Sequence, residues 1–202
     1  MSGKYCAGKS TVGDWLQSQG ALNIEADQLG HAATELARSQ IVARFGDDIV
    51  RDGKIDRKLL AGKVFGNPAA LADLEAIIHP VVIAAIETRI ANRRLQLAQD
   101  ESISPKGKYA HLILINAALL FKSGLQSICD VVIWVDSPWW LRLWRGLRRD
   151  GRGFFATLAL MRSQKALGPQ HHRPNADIIK VYNVFRRCTR TRVGQILERY
   201  NG

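Results

Sequence analysis

The stretch GKYCAGKST, Gly3–Thr11, constrains the fold more than any other part of the chain. Its spacing (Gly3, four residues, Gly8, Lys9, Ser10) fits G-x-x-x-x-G-K-[ST], a phosphate-binding loop. The chemistry explains the spacing. Glycines let successive backbone N–H groups turn inward on an anion, and the positive end of a following helix adds to that field. Lys9 reaches the outer phosphates, and the Ser10 hydroxyl can ligate magnesium. Gly3, Cys6, Ala7, Gly8, Lys9, Ser10 and Thr11 are therefore the expected nucleotide-binding residues. The competing reading is a polar Gly/Lys/Ser-rich tail. Val12, Trp15 and Leu16 argue against it, since they recur at helical spacing directly behind the loop. A buried apolar strand normally feeds such a loop, yet only Met1 and Ser2 precede Gly3. The expectation is a natural product that begins upstream with an apolar segment of about five residues, a usual strand length. Otherwise the loop is anchored through its helix.

Beyond the loop, short apolar runs alternate with helical stretches, which predicts an α/β fold with a parallel sheet. ALNIEAD gives a strand ending at Glu25 or Asp27. HLILIN (His111 to Asn116) and DVVIWVD (Asp130 to Asp136) are near-continuous apolar runs, as strands buried on both faces should be, and ADIIKVYN (Ala176 to Asn183) predicts another. Between the first two lies a long helical stretch. Asp52–Gly53 marks a turn. Asn67–Pro68 opens a helix that His79–Pro80 is expected to break, and Ile83, Ile86, Ile90 and Leu97 then share one face of a longer helix. Asp48, Asp52 and Asp56 recur every four residues, but the intervening turn argues against a metal-binding helix face.

A chain of 202 residues, 47% apolar, can bury a sizeable core in one domain. No apolar run approaches the ~20 residues of a membrane span, so no membrane partner is expected. Cys6, Cys129 and Cys188 are scattered without metal spacing, which fits a reducing cytoplasm. The formal charge of +11 suits a polyanionic partner without choosing one.

In SPWWLRLWRGLRRDGR, Trp140, Leu143, Trp144 and Leu147 follow the i, i+3, i+4, i+7 pattern and predict a packed stripe. Arg142, Arg145 and Arg149 fall mostly off it. They project beside the strand ends, where open α/β sheets bind ligands, and Arg145 and Arg149 can face one anion. His171–His172 reads as loop and not as a metal pair. Asp27, just past the first of the apolar runs, is placed to face an acceptor hydroxyl or to cap the helix expected from Gln28.

The ordered landmarks resemble the dephospho-coenzyme A kinase family over nearly the whole chain. CAGKSTV and GALNIEADQLGH resemble its loop and strand end, with Glu25 in place of that family's first aspartate and Asp27 as its second. FGDDIVRDGKIDRKLLAGKVFGNP, LEAIIHP, ALLFKSGL, CDVVIWVD, MRSQKAL and ADIIKVYN follow in order. The resemblance implies a three-layer P-loop kinase fold within a single domain. A helical acceptor-binding insertion would span approximately 52–105 and a helical lid approximately 139–170. It implies transfer of the ATP γ-phosphate to the ribose 3′-hydroxyl of dephospho-coenzyme A, with magnesium held by Ser10. It also implies Asp27 as base and Lys9 as phosphate clamp; Arg145 and Arg149, one helical turn apart, join them as expected catalytic residues on their spacing alone. The chain departs from the pattern at Ala118-Leu119-Leu120-Phe121-Lys122, where the family has P-L-L-F-E, and in the tryptophans of WWLRLW. Two other readings compete: another small-molecule kinase of the same architecture, and a non-catalytic nucleotide-binding protein. Nucleic acid is not an expected partner, since no aromatic-rich RNA-recognition motif is present.

Overall fold

The structure, a computed structural model, describes residues 1–99, 107–118, 120–121, 123–151, 153–163 and 177–200. Part of the expected lid (Arg152 and 164–170), the pair His171–His172, and Leu119 and Lys122 of the ALLFK segment lie outside these. The elements run β1 (Ser2–Gly3), α1 (Lys9–Ser18), β2 (Leu22–Glu25), α2 (Ala26–Leu36), α3 (Arg38–Phe45), β3 (Val50–Arg51), β4 (Lys54–Ile55), α4 (Arg57–Val64) and α5 (Pro68–Gln99). They continue with β5 (Ile113–Asn116), β6 (Val131–Asp136), α6 (Trp139–Asp150), α7 (Phe154–Ser163), β7 (Asp177–Tyr182) and α8 (Arg186–Tyr200). The four apolar runs are strands β2, β5, β6 and β7. The chain forms two compact units, Met1–Ile24 with Ile103–Gly202, and Glu25–Ser102.

In the first unit, β6 and β7 pair in parallel from Val131↔Asp177 to Asp136↔Tyr182. The strand that leads into the loop, β1, spans Ser2 and Gly3. Ser2 and Gly3 pair in parallel with Trp134 and Val135. On the other edge the Met1 amino group donates to Ile115 O (2.5 Å) and Ala117 N donates to Met1 O (3.1 Å). Met1 thus links the β2–β5 pair to β1–β6–β7. Gly3 is required by proximity: a Cβ there would lie 2.1 Å from Val135 O. Strand side chains alternate between faces. Ile133, Val135, Val181 and Leu114 pack with Val12 and Leu16 of α1 and Val193, Ile196 and Leu197 of α8. On the opposite face of β6, Trp134 meets Phe121 with ring centroids 5.9 Å apart.

The second unit is mostly helical and begins at Glu25. Its hairpin β3–β4 turns at Asp52 and Gly53, both at positive φ (49° and 73°), as a tight two-residue turn demands. Asp56 caps α4 by accepting from Lys58 N and Leu59 N, and Asp48 pairs with Lys63 at 2.6 Å. These aspartates therefore serve the local fold.

Helix α5 corrects two expectations. It runs 32 residues through Pro80 without a break at His79–Pro80. Proline removes one helical N–H and costs about 3 kcal/mol in a helix interior. Here Ile77, Ile78 and Val81 on both sides of it pack against Ile41, Phe45, Ile49 and Leu60, which offsets that cost. The uninterrupted helix is also long and apolar enough to cross a membrane, contrary to the count of contiguous apolar residues. Within it Val82 and Ile86 are buried.

The Met1 link has a measurable consequence. Burial pulls the Met1 amino group down to about 6 from its ordinary 8.0. The unfolded chain therefore binds more protons between these values, and stability rises with pH across that window. For the 202-residue chain we predict a gain of about 2 kcal/mol from pH 6 to pH 8, read by urea melts. Joining an apolar strand segment to Met1 replaces the amine by an amide. It should abolish this slope and raise the melting temperature; an unchanged slope would contradict the assignment.

Candidate active site

The loop Gly3–Gly8 runs from the end of β1 into α1, so its backbone lies at the C-terminal end of the parallel strands. Ala7 N donates to Lys4 O (3.1 Å), closing the turn. Cys6 takes a positive φ of 53°, and Gly8 sits left-handed at 94° as the residue before the helix. Gly8, the N-cap, has no side chain with which to cap α1, and a helix start of this kind suits an anion. Lys9 Nζ folds back over the loop and donates to Gly3 O (2.9 Å) and Lys4 O (3.3 Å).

A cavity of about 380 Å³ opens beside the loop, lined by Cys6, Gly8, Lys9, Ser10 and Thr11 together with Trp144, Arg145, Arg148 and Arg149 of α6. Arg145 donates to Ser137 Oγ (3.3 Å) and to the Asn183 carbonyl (3.4 Å). Burial, helped by the neighbouring Arg186 charge, lowers its pKa, while Cys6 opposes the shift. Arg149 is held in the opposite sense: its hydrogen bond to Asp150 raises its pKa, and its guanidinium lies 5.1 Å from the Tyr5 ring centre. The Tyr5 hydroxyl donates to the same Asp150 carboxylate. Burial and that hydrogen bond push Tyr5 up to about 12, so it stays a donor at neutral pH.

The helix carrying these arginines differs from the expected stripe. Leu143 is buried, but Trp140 and Trp144 are 55% and 50% exposed, whereas Arg142 is only 8% exposed. The buried face is Arg142, Leu143 and Gly146 because α6 packs on Tyr5 and α7 at Gly146, where a Cβ would lie 2.9 Å from the Tyr5 ring. Arg142 tolerates this position by donating to Ser137 O (3.1 Å) with Asp136 4.0 Å away. Arg148 lies over the exposed Trp144 ring at 4.3 Å.

Of the expected residues, Cys6, Gly8, Lys9, Ser10, Thr11, Arg145 and Arg149 line one cavity, and Gly3 and Ala7 shape the loop beneath it. Asp27 belongs to the second unit. It is exposed in the first turn of α2 and does not cap it, because the helix begins at Ala26 with Glu25 as the preceding residue. Sequence reasoning passed over Asp136, Ser137 and Asn183. Their signal was position: each sits at or just past the end of a predicted apolar strand.

A model of the dephospho-CoA kinase family (CoaE) matches residues 1–181. The chain belongs to the dephospho-CoA kinase family. A dephospho-CoA kinase from Latilactobacillus sakei is 32% identical over 182 residues, covering 89% of this chain and 83% of that protein. One from Geobacillus kaustophilus is 32% identical over 207 residues, covering 100% and 95%. Among solved structures, TT1252 from Thermus thermophilus superposes with a TM-score of 0.72 at 26% identity, covering 98% of this chain and 94% of that one. The dephospho-CoA kinase from Campylobacter jejuni gives 0.61 at 27% identity, covering 100% and 96%. An α/β fold with a parallel sheet flanked by helices is thus shared with this family of ATP-dependent kinases.

Within the kinase, Gly8 is constrained twice. Its φ is left-handed, and a Cβ would sit 2.0 Å from Asn183 Nδ2. We predict that Gly8→Ala lowers stability by about 1–3 kcal/mol, a fall of several degrees in melting temperature, and weakens nucleotide binding. Parent-like melting and ATP affinity would show that the loop does not hold this backbone.

Proposed function

We propose that the kinase transfers the γ-phosphate of ATP to the ribose 3′-hydroxyl of dephospho-coenzyme A. The observation that carries this reading is one cavity in which an uncapped helix start, Lys9, Arg145 and Arg149 converge, in a chain of this family. Phosphoryl transfer asks little covalent chemistry of a protein. It needs the donor cradled, the charge on the transferred group met by cations, and the acceptor hydroxyl aimed.

The loop amides and the start of α1 receive the inner phosphates. Lys9 exchanges its two carbonyl partners for outer phosphate oxygens, which are charged and accept more strongly. Arg145 and Arg149 face the phosphoryl group in flight. Asp27, exposed in the first turn of α2, is proposed as the base that accepts the hydroxyl proton. The donor set fits magnesium carried in on the nucleotide. Ser10 offers an oxygen at the cavity, and no cluster of three acidic, histidine or cysteine ligands exists among the described residues. Magnesium is ordinarily held this way, by few protein oxygens plus substrate phosphates. When bound it neutralises charge between the β- and γ-phosphates. The helices α6 and α7 are proposed as the lid. A reducing cytoplasm is the proposed location, on the scattered cysteines.

ATP consumption measured with and without dephospho-coenzyme A tests the reading directly, and no acceptor-dependent turnover would overturn it. Lys9→Ala should leave the fold intact and lower turnover about 100-fold or more, because its charge acts chiefly on the transition state. Asp27→Asn should keep ATP binding and slow transfer about 100-fold. Transfer within about threefold of the parent, under ~1 kcal/mol, would remove Asp27 from the role of base.

A further inference from the structure

Asn183 lies directly past β7, buried, and contacts four other parts of the site. Its Nδ2 donates to Ala7 O (2.9 Å) across a sequence separation of 176 residues. The orientation of the amide follows from its partners. Ala7 O can only accept, so the nitrogen faces it, and the Thr189 hydroxyl donates to Oδ1 (2.9 Å) on the far side. The Asn183 backbone N donates to Asp136 O (2.7 Å), and its carbonyl accepts from Ser137 Oγ (2.8 Å) and from Arg145.

The Ala7 carbonyl and the Gly8 N–H belong to a single planar trans peptide, in which C=O and N–H point in opposite directions. A carbonyl pinned on Asn183 therefore aims the Gly8 N–H away from Asn183. Gly8 lines the cavity, and its missing Cβ is what lets the amide approach. We infer that Asn183 is a positioning residue: it fixes the Ala7–Gly8 peptide so that the loop presents its N–H to the phosphate chain, and ties Arg145 to the same point. Asn183 itself touches no reacting atom. This inference rests on the proposed binding of ATP at the loop.

The test separates positioning from general stability. Equilibrium binding of ATP to Asn183→Ala should weaken by about tenfold or more. In the coupled assay the KM for ATP should rise and kcat fall, while the KM for dephospho-coenzyme A stays at the parent value. Thr189→Val, which frees the amide without removing it, should weaken ATP binding about threefold, and Thr189→Ser should restore it. Val193→Ala, in the core of α8, supplies a control that is destabilised but binds ATP like the parent. If Asn183→Ala does not fold, the Thr189 pair carries the test. ATP affinity within about twofold of the parent in a folded Asn183→Ala, or in Thr189→Val, overturns the inference. So does an equal loss in Val193→Ala, which would mark the effect as general loosening. A parent that binds ATP but does not use dephospho-coenzyme A overturns the acceptor reading alone, and the ATP affinities still judge Asn183. A parent that binds no ATP overturns both.

Discussion

Two backbone pairs, Ser2 with Trp134 and Gly3 with Val135, hold the entrance of the phosphate loop against the centre of the sheet. Everything at the site is referred to that contact. It is made at a separation no side chain would allow, which is why the first residue of the loop is glycine. From there Lys4 reaches Asp136 at the end of β6 (2.7 Å), and the Asn183 amide at the end of β7 reaches the Ala7 carbonyl. The loop is thus fastened to the ends of β6 and β7 through backbone pairing and side-chain contacts.

The charge around the cavity is arranged unevenly. Arg149 shares Asp150 with Tyr5 and so already has a counter-ion, whereas Arg145 is partly desolvated beside Arg186 and, among the described residues, donates to neutral oxygens of Ser137 and Asn183. On the proposed reading, an incoming phosphate would relieve Arg145 more than Arg149. Desolvated cations facing a pocket act on an anion through a lower effective dielectric than exposed ones do, which makes position more telling than the total of +11.

Much of this was legible in the residues. Four strands could be read because buried parallel strands need continuous apolar runs, and the Asp52–Gly53 turn because few residues accept two positive φ values in succession. The loop announced itself by residue type. The errors came from tertiary packing overriding local rules. Pro80 stays inside a helix because partly buried apolar neighbours on both sides of it pack against a core cluster. On α6, pattern alone put the tryptophans inward, but Gly146 has no side chain and lets Tyr5 and Thr157 approach, turning Arg142 and Leu143 into the interior instead. Asn183 carried only a positional signal, its place just past a predicted strand. An asparagine after a strand is common, and its partner, a backbone carbonyl, leaves no mark in the sequence.

The separation between the loop and its supports gives the chain a particular order of assembly. Lys4 is 132 residues from Asp136 and Ala7 is 176 residues from Asn183. A ribosome adding about 5–20 residues per second therefore exposes the nucleotide-binding backbone for on the order of ten seconds or more before its last fastening is made. Contacts so distant in sequence also carry a large loop-closure entropy, which slows their formation. The part of the protein made early is completed late, and a nascent chain interrupted before β7 holds the signature motif without the geometry that gives it meaning.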